Sequence, residues 1–196
     1  MHLKLLLSLT ATPLPLAAFY PYILSILKQQ TKPHVFSWII WGITTLIAFA
    51  LQWTEGGGLG SWPTGFLGVL TLGIAWIAFI KRGEISITKW DWFFFLSGIA
   101  VLPFWYLTSS PLLSMILLTT VDSLGFFPTI RKSYYCPYDE NITMYVVIFF
   151  QNLISIGALE RITMTTILFP AVTSVMIAIL VTLILSQRAH YLVRMK

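Results

Sequence analysis

Charge is what this sequence has least of. Of 196 residues only 10% are Asp, Glu, Lys or Arg, where ordinary soluble chains carry about 25%, and 57% are hydrophobic. So little charge cannot cover a surface facing water, and a mean hydropathy of +0.83 places the chain in lipid. The one cysteine, Cys136, excludes an internal disulfide and a thiolate metal cluster. His2, His34 and His190 are scattered over ends and loops, so they assemble no metal site. No Ser-His-Asp or Cys-His arrangement stands out at a common depth, and "EGGGLG" (Glu55 to Gly60) lacks the lysine and preceding strand of a phosphate loop. Neither enzymatic activity nor a cofactor is expected. The net charge of +5 is read as membrane topology before nucleic-acid binding.

What is present is a series of apolar runs. Crossing the hydrocarbon core of roughly 30 Å takes about 20 apolar residues. Cutting wherever charge or turn residues interrupt gives seven segments, at about 5–27, 35–53, 60–80, 92–108, 111–130, 142–159 and 164–186. The stretch from Trp90 to Arg131 is too long for one span, and Thr108-Ser109-Ser110-Pro111 supplies the turn that divides it. The beginning of the chain has a second reading, as a signal peptide: basic Lys4, a leucine run, then Ala17 and Ala18. The apolar run continues past that cleavage site, which favours a span.

Seven spans put Lys28, Lys32, Lys81, Arg82, Lys89, Arg131, Lys132, Arg188, Arg194 and Lys196 on one side and Lys4 and Arg161 on the other. That ten-to-two split predicts the N-terminus outside and the C-terminus in the cytoplasm.

The runs also repeat. A shift of 107 residues lays Phe19-Tyr20-Pro21-Tyr22-Ile23 on Phe126-Phe127-Pro128-Thr129-Ile130, Pro63 on Pro170 and Lys81 on Arg188. The segment around Trp92 to Thr108 has no counterpart. The expected fold is therefore an all-α integral membrane protein of seven transmembrane helices. Residues 1–82 form a three-helix repeat, 83–108 a linker and fourth helix, and 109–196 a second repeat with a cytoplasmic tail. An odd linker makes the repeats parallel, and transporters built this way keep their substrate site near the midplane between the units.

This three-one-three plan, with Pro21 and Pro128 in the first helix of each unit, resembles the PQ-loop and SWEET superfamily. The dipeptides here are Pro21-Tyr22 and Pro128-Thr129, without the glutamines of the motif. "TKPHVFSWIIWGITTLIAF" and "DSLGFFPTIRKSYYCPYDE" are also similar to a group of bacterial membrane proteins with no assigned role. The superfamily resemblance implies alternating access, the two units rocking around a central cavity. It does not carry over sugar specificity, because the asparagine on the third helix of each unit that faces sugar in SWEETs is absent. The two asparagines are Asn141, in a loop, and Asn152, on the sixth helix.

Among the acidic residues, Glu55, Glu84, Asp91, Asp139, Glu140 and Glu160 fall in loops or at helix ends, leaving Asp122 as the one expected to be buried. Eleven residues beyond Pro111, it lies roughly 16 Å deep, where a charge costs about 2.5 to 3.5 kcal/mol on insertion scales. Thr44 and Thr45, Gln151 and Asn152, and Thr173 and Ser174 lie at similar depth, and the repeat maps the first pair on the second. For the Thr and Ser residues ordinary interhelical bonding competes with a binding role. Trp53, Trp62, Trp90, Trp92 and Trp105 suit interfacial anchoring. Trp38 and Trp41 lie deeper, and Trp41 with Thr45 suits stacking and hydrogen bonding of a ring-shaped solute.

The expected substrate site is thus Asp122, Asn152, Gln151, Thr45, Trp41, Thr173 and Ser174. Pro21 and Pro128 are expected to act as paired hinges, because their missing N–H groups free the carbonyls of Ala17 and Leu124. The expected function is transport of a small solute, by facilitation or proton coupling, in a bilayer read as the bacterial inner membrane. Self-association is compatible with this plan. A vitamin uptake protein like the nicotinamide riboside transporters, or a non-transporting receptor of the kind formed by KDEL receptors, are the alternatives.

Overall fold

The computed structural model describes residues 2–31, 33, 35–81, 89–138 and 140–194. Lys32, His34, Arg82, Glu84, Asp139 and Lys196 fall outside the described residues, as do the side chains of Trp90, Asp91, Trp105, Pro128, Lys132 and Arg194. Within the described residues there is no strand, and the helices are α1 (His2–Ala11), α2 (Leu14–Leu27), α3 (Val35–Thr54), α4 (Trp62–Ile80), α5 (Lys89–Thr108), α6 (Pro111–Leu124), α7 (Phe126–Tyr135), α8 (Ile142–Ala158) and α9 (Met164–Arg194). A 3-10 turn, Gly58–Ser61, leads into α4.

Local chemistry fixes many of these boundaries. Pro111 opens α6 and Pro63 sits in the first turn of α4, positions where a missing N–H costs no helical bond. Asn141 caps α8, its side chain accepting from the Met144 N–H at 3.1 Å. α2 ends where Gln29 turns to a positive φ of 58°.

Each of the seven expected intervals is helical, with two corrections. The first interval is not continuous: Thr12 and Pro13 separate α1 from α2, because Pro13 and Pro15 withdraw two N–H donors within a single turn. The fifth is also interrupted, at Gly125, with α7 running on to Tyr135. The last helix continues to Arg194, so the segment expected to be a tail is mostly helix.

Among the described residues five stretches are long and apolar enough to cross a membrane: His2–Leu27, Val35–Thr54, Gly58–Ile80, Pro111–Tyr135 and Met164–His190; Ile142–Ala158 is apolar but shorter. The outer faces carry large apolar side chains such as Val69, Trp76, Phe79, Phe93, Leu96, Phe150, Val175, Ile179 and Leu185, all exposed. In water such a surface would aggregate; against lipid it is the expected solvent-facing side, compatible with an integral membrane protein.

The helices on either side of α5 form two groups, here called triplets: α1 with α2, then α3 and α4; and α6 with α7, then α8 and α9. α4 packs on both α2 and α3, and α9 packs on α6, α7 and α8, so in each triplet the last helix contacts the first two. Between triplets, α1 and α2 lie on α8, while α3 lies on α6; α5 packs on α3 and α6. The α3–α4 contact is close because Gly65 and Gly68 meet Phe49 and Leu46 where a Cβ would come within 2.9 Å. One cluster of Ala18, Phe19, Tyr22, Trp38, Ile74, Phe126, Tyr145, Ile148, Leu180 and Ile184 joins both triplets, and a second, around Ala48, Leu51, Met115, Leu118 and Phe169, lies beside it.

At the Lys4 end the triplets clasp each other through backbone. The Glu160 N–H donates to the Gly57 carbonyl at 3.0 Å, and the Glu160 carboxylate accepts from the Leu59 N–H at 3.2 Å. Gln52 Nε2 donates to the Thr166 carbonyl at 2.8 Å. The end of α3 therefore holds the start of α9, and the chain after α8 holds the approach to α4. Gly58, at φ +58°, lies against the Glu160 carboxylate, and Gly60 lies against the backbone of Ala158 and Leu159. Gly60→Ala is expected to lower stability by about 1–3 kcal/mol through overpacking. Gly73→Ala, at a position with open space around it, should leave stability unchanged or raised; thermal unfolding of both variants in detergent makes the comparison.

Candidate functional site

α3 and α6 meet at a buried acid. Asp122, 3% exposed, accepts through Oδ1 from the Thr44 hydroxyl at 2.7 Å. Thr44 is 1% exposed, and its hydroxyl also lies 3.0 Å from the Ile40 carbonyl and 3.1 Å from the Trp41 carbonyl. One hydroxyl proton thus has three acceptors within reach. When the carboxyl is ionised, Thr44 donates to it; when the carboxyl carries a proton, it can donate to Thr44, whose own proton turns back to a backbone carbonyl. A threonine at this place serves either state of the acid, which a pure donor would not.

The sequence sets this pair up through helix periodicity. Thr44 lies on the α3 stripe of Ile40, Ile47, Ala48 and Leu51, and Asp122 lies on the α6 stripe of Met115, Leu118 and Thr119, all buried. The helix break follows directly. At Gly125 an added Cβ would lie 2.7 Å from Trp41 Nε1 and 3.0 Å from the Asp122 carbonyl, so glycine is what lets the indole edge reach the break. Trp41 Nε1 is buried without a hydrogen-bond partner. Its ring packs 5.2 Å from Phe126 and 5.8 Å from Trp38, and Trp38 stacks on Tyr22 at 5.2 Å with Phe19 edge-on. An aromatic block from α2, α3 and α7 therefore borders the acid on one side.

The other expected site residues are buried or half-buried but are not bonded to Asp122. Thr45 is 5% exposed, Asn152 3% and Gln151 0%. Neither Gln151 Nε2 nor Gln151 Oε1 has a partner, and Asn152 Nδ2 has none. Ser174 donates back to the Pro170 carbonyl four residues earlier at 2.7 Å, and Thr173 is half-buried. Pro21 lies inside α2, which runs through it; Pro128 is in the first turn of α7, just past the break at Gly125. The two prolines thus occupy different local settings.

Glu140 corrects the expectation that Asp122 alone among the acids is buried. It is 8% exposed, although it precedes α8 in a loop, and its carboxylate accepts from the Tyr145 hydroxyl at 3.0 Å. Arg188 of α9 holds the same loop, donating to the Pro137 carbonyl at 3.0 Å and the Glu140 carbonyl at 2.9 Å, with its guanidinium 5.0 Å from the Tyr138 ring. Thr119, buried with an unpartnered hydroxyl one turn before Asp122, is a further polar group that depth counting did not single out. Its spacing of three residues from Asp122 was the available signal. Among the described residues no three of His, Cys, Asp or Glu converge.

No protein-family model, curated protein or solved structure matches this chain.

Thr44→Val leaves the Asp122 carboxyl without its donor and is expected to cost about 1–3 kcal/mol. Thr44→Val combined with Asp122→Leu should recover part of that loss, since both ends of the bond are then gone. Equilibrium unfolding of the two variants and the parent in detergent reads this non-additivity.

Proposed function

We propose that the chain is a small-solute transporter working by alternating access between two parallel three-helix units, α1 to α4 and α6 to α9, joined by α5. On this reading there are seven spans, α1 with α2 and α6 with α7 each counting as one broken span, and the fold is PQ-loop and SWEET-like. The Lys4 end faces outward and the Arg188 end the cytoplasm, in a bacterial inner membrane.

Two observations support the arrangement. Within each unit the last helix contacts the first two, and between units first helix meets second helix both times, as α1 and α2 on α8 and as α6 on α3. Exchanging the units leaves that contact pattern unchanged, as a two-fold axis along the membrane normal requires. The ends also agree with the charge count: Lys4 and Arg161 lie with the clasped loops, while Arg188 lies against 137–140.

The observation that carries transport is the Asp122–Thr44 bond, a buried acid at the contact between the two units rather than within one. Intramembrane acids are expensive and mark ion or substrate paths by default. Asp122 serves as the group that takes a cationic or hydroxylated part of the solute, or a coupling proton. Trp41, Thr45, Gln151, Asn152, Thr173 and Ser174 supply neighbouring surface, and Pro21 and Pro128 the hinges.

In proteoliposomes screened with sugars, vitamins, amino acids and amines, the parent is expected to exchange at least one class. Asp122→Asn is expected to lose roughly tenfold or more of that rate, about 1.4 kcal/mol in barrier, while unfolding at a similar temperature. Pro21→Ala and Pro128→Ala should slow exchange more than they weaken binding. No movement of any solute, or full activity in Asp122→Asn, defeats the site assignment, and unchanged turnover in both proline variants leaves the prolines as plain kinks.

A further inference from the structure

The break in the first helix faces a glutamine that has no partner. The register between α1 and α8 can be counted from three contacts. Lys4 Nζ donates to the carbonyls of Leu159 and Glu160 at 2.8 and 3.0 Å, and a Cβ on Gly157 would lie 3.5 Å from Leu7 Cδ1. Ser8 and Ser155 donate to the consecutive carbonyls of Leu59 and Gly60, at 2.6 and 3.2 Å, and so lie at one level. The helices run in opposite directions, so four residues inward from that level, about 6 Å, come Thr12 on one chain segment and Gln151 on the other. α8 packs on both α1 and α2, and Gln151 shares its face with Ile148 and Ser155, which is the face turned to the first triplet. The unpartnered amide therefore lies opposite Thr12 and Pro13.

The backbone there is rich in acceptors. Pro13 and Pro15 have no N–H to give the carbonyls of Leu9 and Ala11, and Ala11 is wholly buried. Thr12 gives its hydroxyl proton to the Ser8 carbonyl at 2.7 Å, so its lone pairs remain. The C-terminal end of α1 contributes the negative pole of its dipole, while the same two prolines strip donors from the start of α2 and weaken its positive pole. The Leu16 N–H is already taken by the Pro13 carbonyl at 3.0 Å. On the α8 side of these oxygens, at the same level, is the buried Gln151 amide, whose Nε2 and Oε1 both have no partner.

We propose that the α1–α2 break and Gln151 together form a binding site for a monovalent alkali cation of sodium type. The ligands are the Ala11 carbonyl, the Thr12 hydroxyl oxygen and Gln151 Oε1. Carbonyl oxygens at a helix interruption replace a small cation's hydration shell, and the C-terminal pole of a half-helix favours its charge. A divalent ion is disfavoured because among the described residues no carboxylate is placed at this level; Glu55 and Glu160 sit at the outer edge and Asp122 is on the α3–α6 contact. In the 107-residue repeat Gln151 answers to Thr44 and Asp122 answers to Pro15, so this site is the counterpart of the acid's site on the opposite contact between the triplets. One contact presents a carboxyl, the other a backbone opening.

The test reads binding and is independent of any transported solute. Thermal unfolding of the full chain in detergent is followed against added sodium chloride, with choline chloride at the same ionic strength as control. The midpoint is expected to rise saturably with sodium and not with choline. Gln151→Leu should abolish the rise, Thr12→Val should raise the half-saturating concentration, and Asp122→Asn should retain the rise. An equal response to choline, an undiminished response in Gln151→Leu, or loss of the response in Asp122→Asn overturns the site. Should Gln151→Leu fail to fold, Gln151→Glu places a carboxylate among the same oxygens and is expected to lower the half-saturating sodium concentration at least about tenfold; an unchanged value there overturns the site equally.

Discussion

In hydrocarbon a polar group has only protein to bond to, and this constraint orders the whole chain. Helices satisfy their own backbones, so the places that need explanation are interruptions such as Thr12-Pro13, the Gly56–Ser61 loop and Gly125, and the proline inside α9, Pro170. At the Gly56–Ser61 loop the opposite triplet supplies partners through Glu160 and Ser155. At Pro170 the freed carbonyl is that of Thr166, four residues back, and Gln52 Nε2 of α3 donates to it at 2.8 Å. At Gly125 the N–H turns back to the carbonyls of Val121 and Asp122. At Thr12-Pro13 the missing N–H groups of Pro13 and Pro15 free the carbonyls of Leu9 and Ala11, and of these residues Ala11 is buried.

The seven helical intervals were legible in the sequence because apolar runs and the turn at Thr108 to Pro111 survive any packing. Their interior breaks were less so. A proline inside an apolar run leaves open whether the helix continues, as at Pro21, or stops, as at Pro13; the outcome depends on whether a second proline two residues on removes the next donor as well. Gly125 gave no signal by itself, since what it permits is the approach of Trp41 from another helix.

Depth counting found Asp122 and the polar pairs, because rise per residue is fixed in a helix. It gave no azimuth. Asp122 and Thr44 face each other while Gln151 and Asn152 lie on a different contact, and that division needs the arrangement of helices to be known. Glu140 was missed for a related reason: a loop position reads as exposed, yet Tyr145 and the grip of Arg188 on the neighbouring carbonyls draw the loop inward. The pairing of Lys81 with Arg188 across the repeat marked the second of these residues but not its target.

α9 has 31 residues and is therefore roughly 46 Å long, against a hydrocarbon thickness of roughly 30 Å. With no tilt, roughly 16 Å or about three turns would stand clear of an apolar layer of that thickness. Arg188 lies near the end of α9 and is fastened to the main-chain carbonyls of Pro137 and Glu140 as well as to the face of the Tyr138 ring. α9 is thus a rod with one end among the α3–α8 loops and the other tied to the far rim. A tilt of about 5° around its middle moves Arg188, nine residues or roughly 14 Å away, by about 1 Å, and the segment fastened there travels with it.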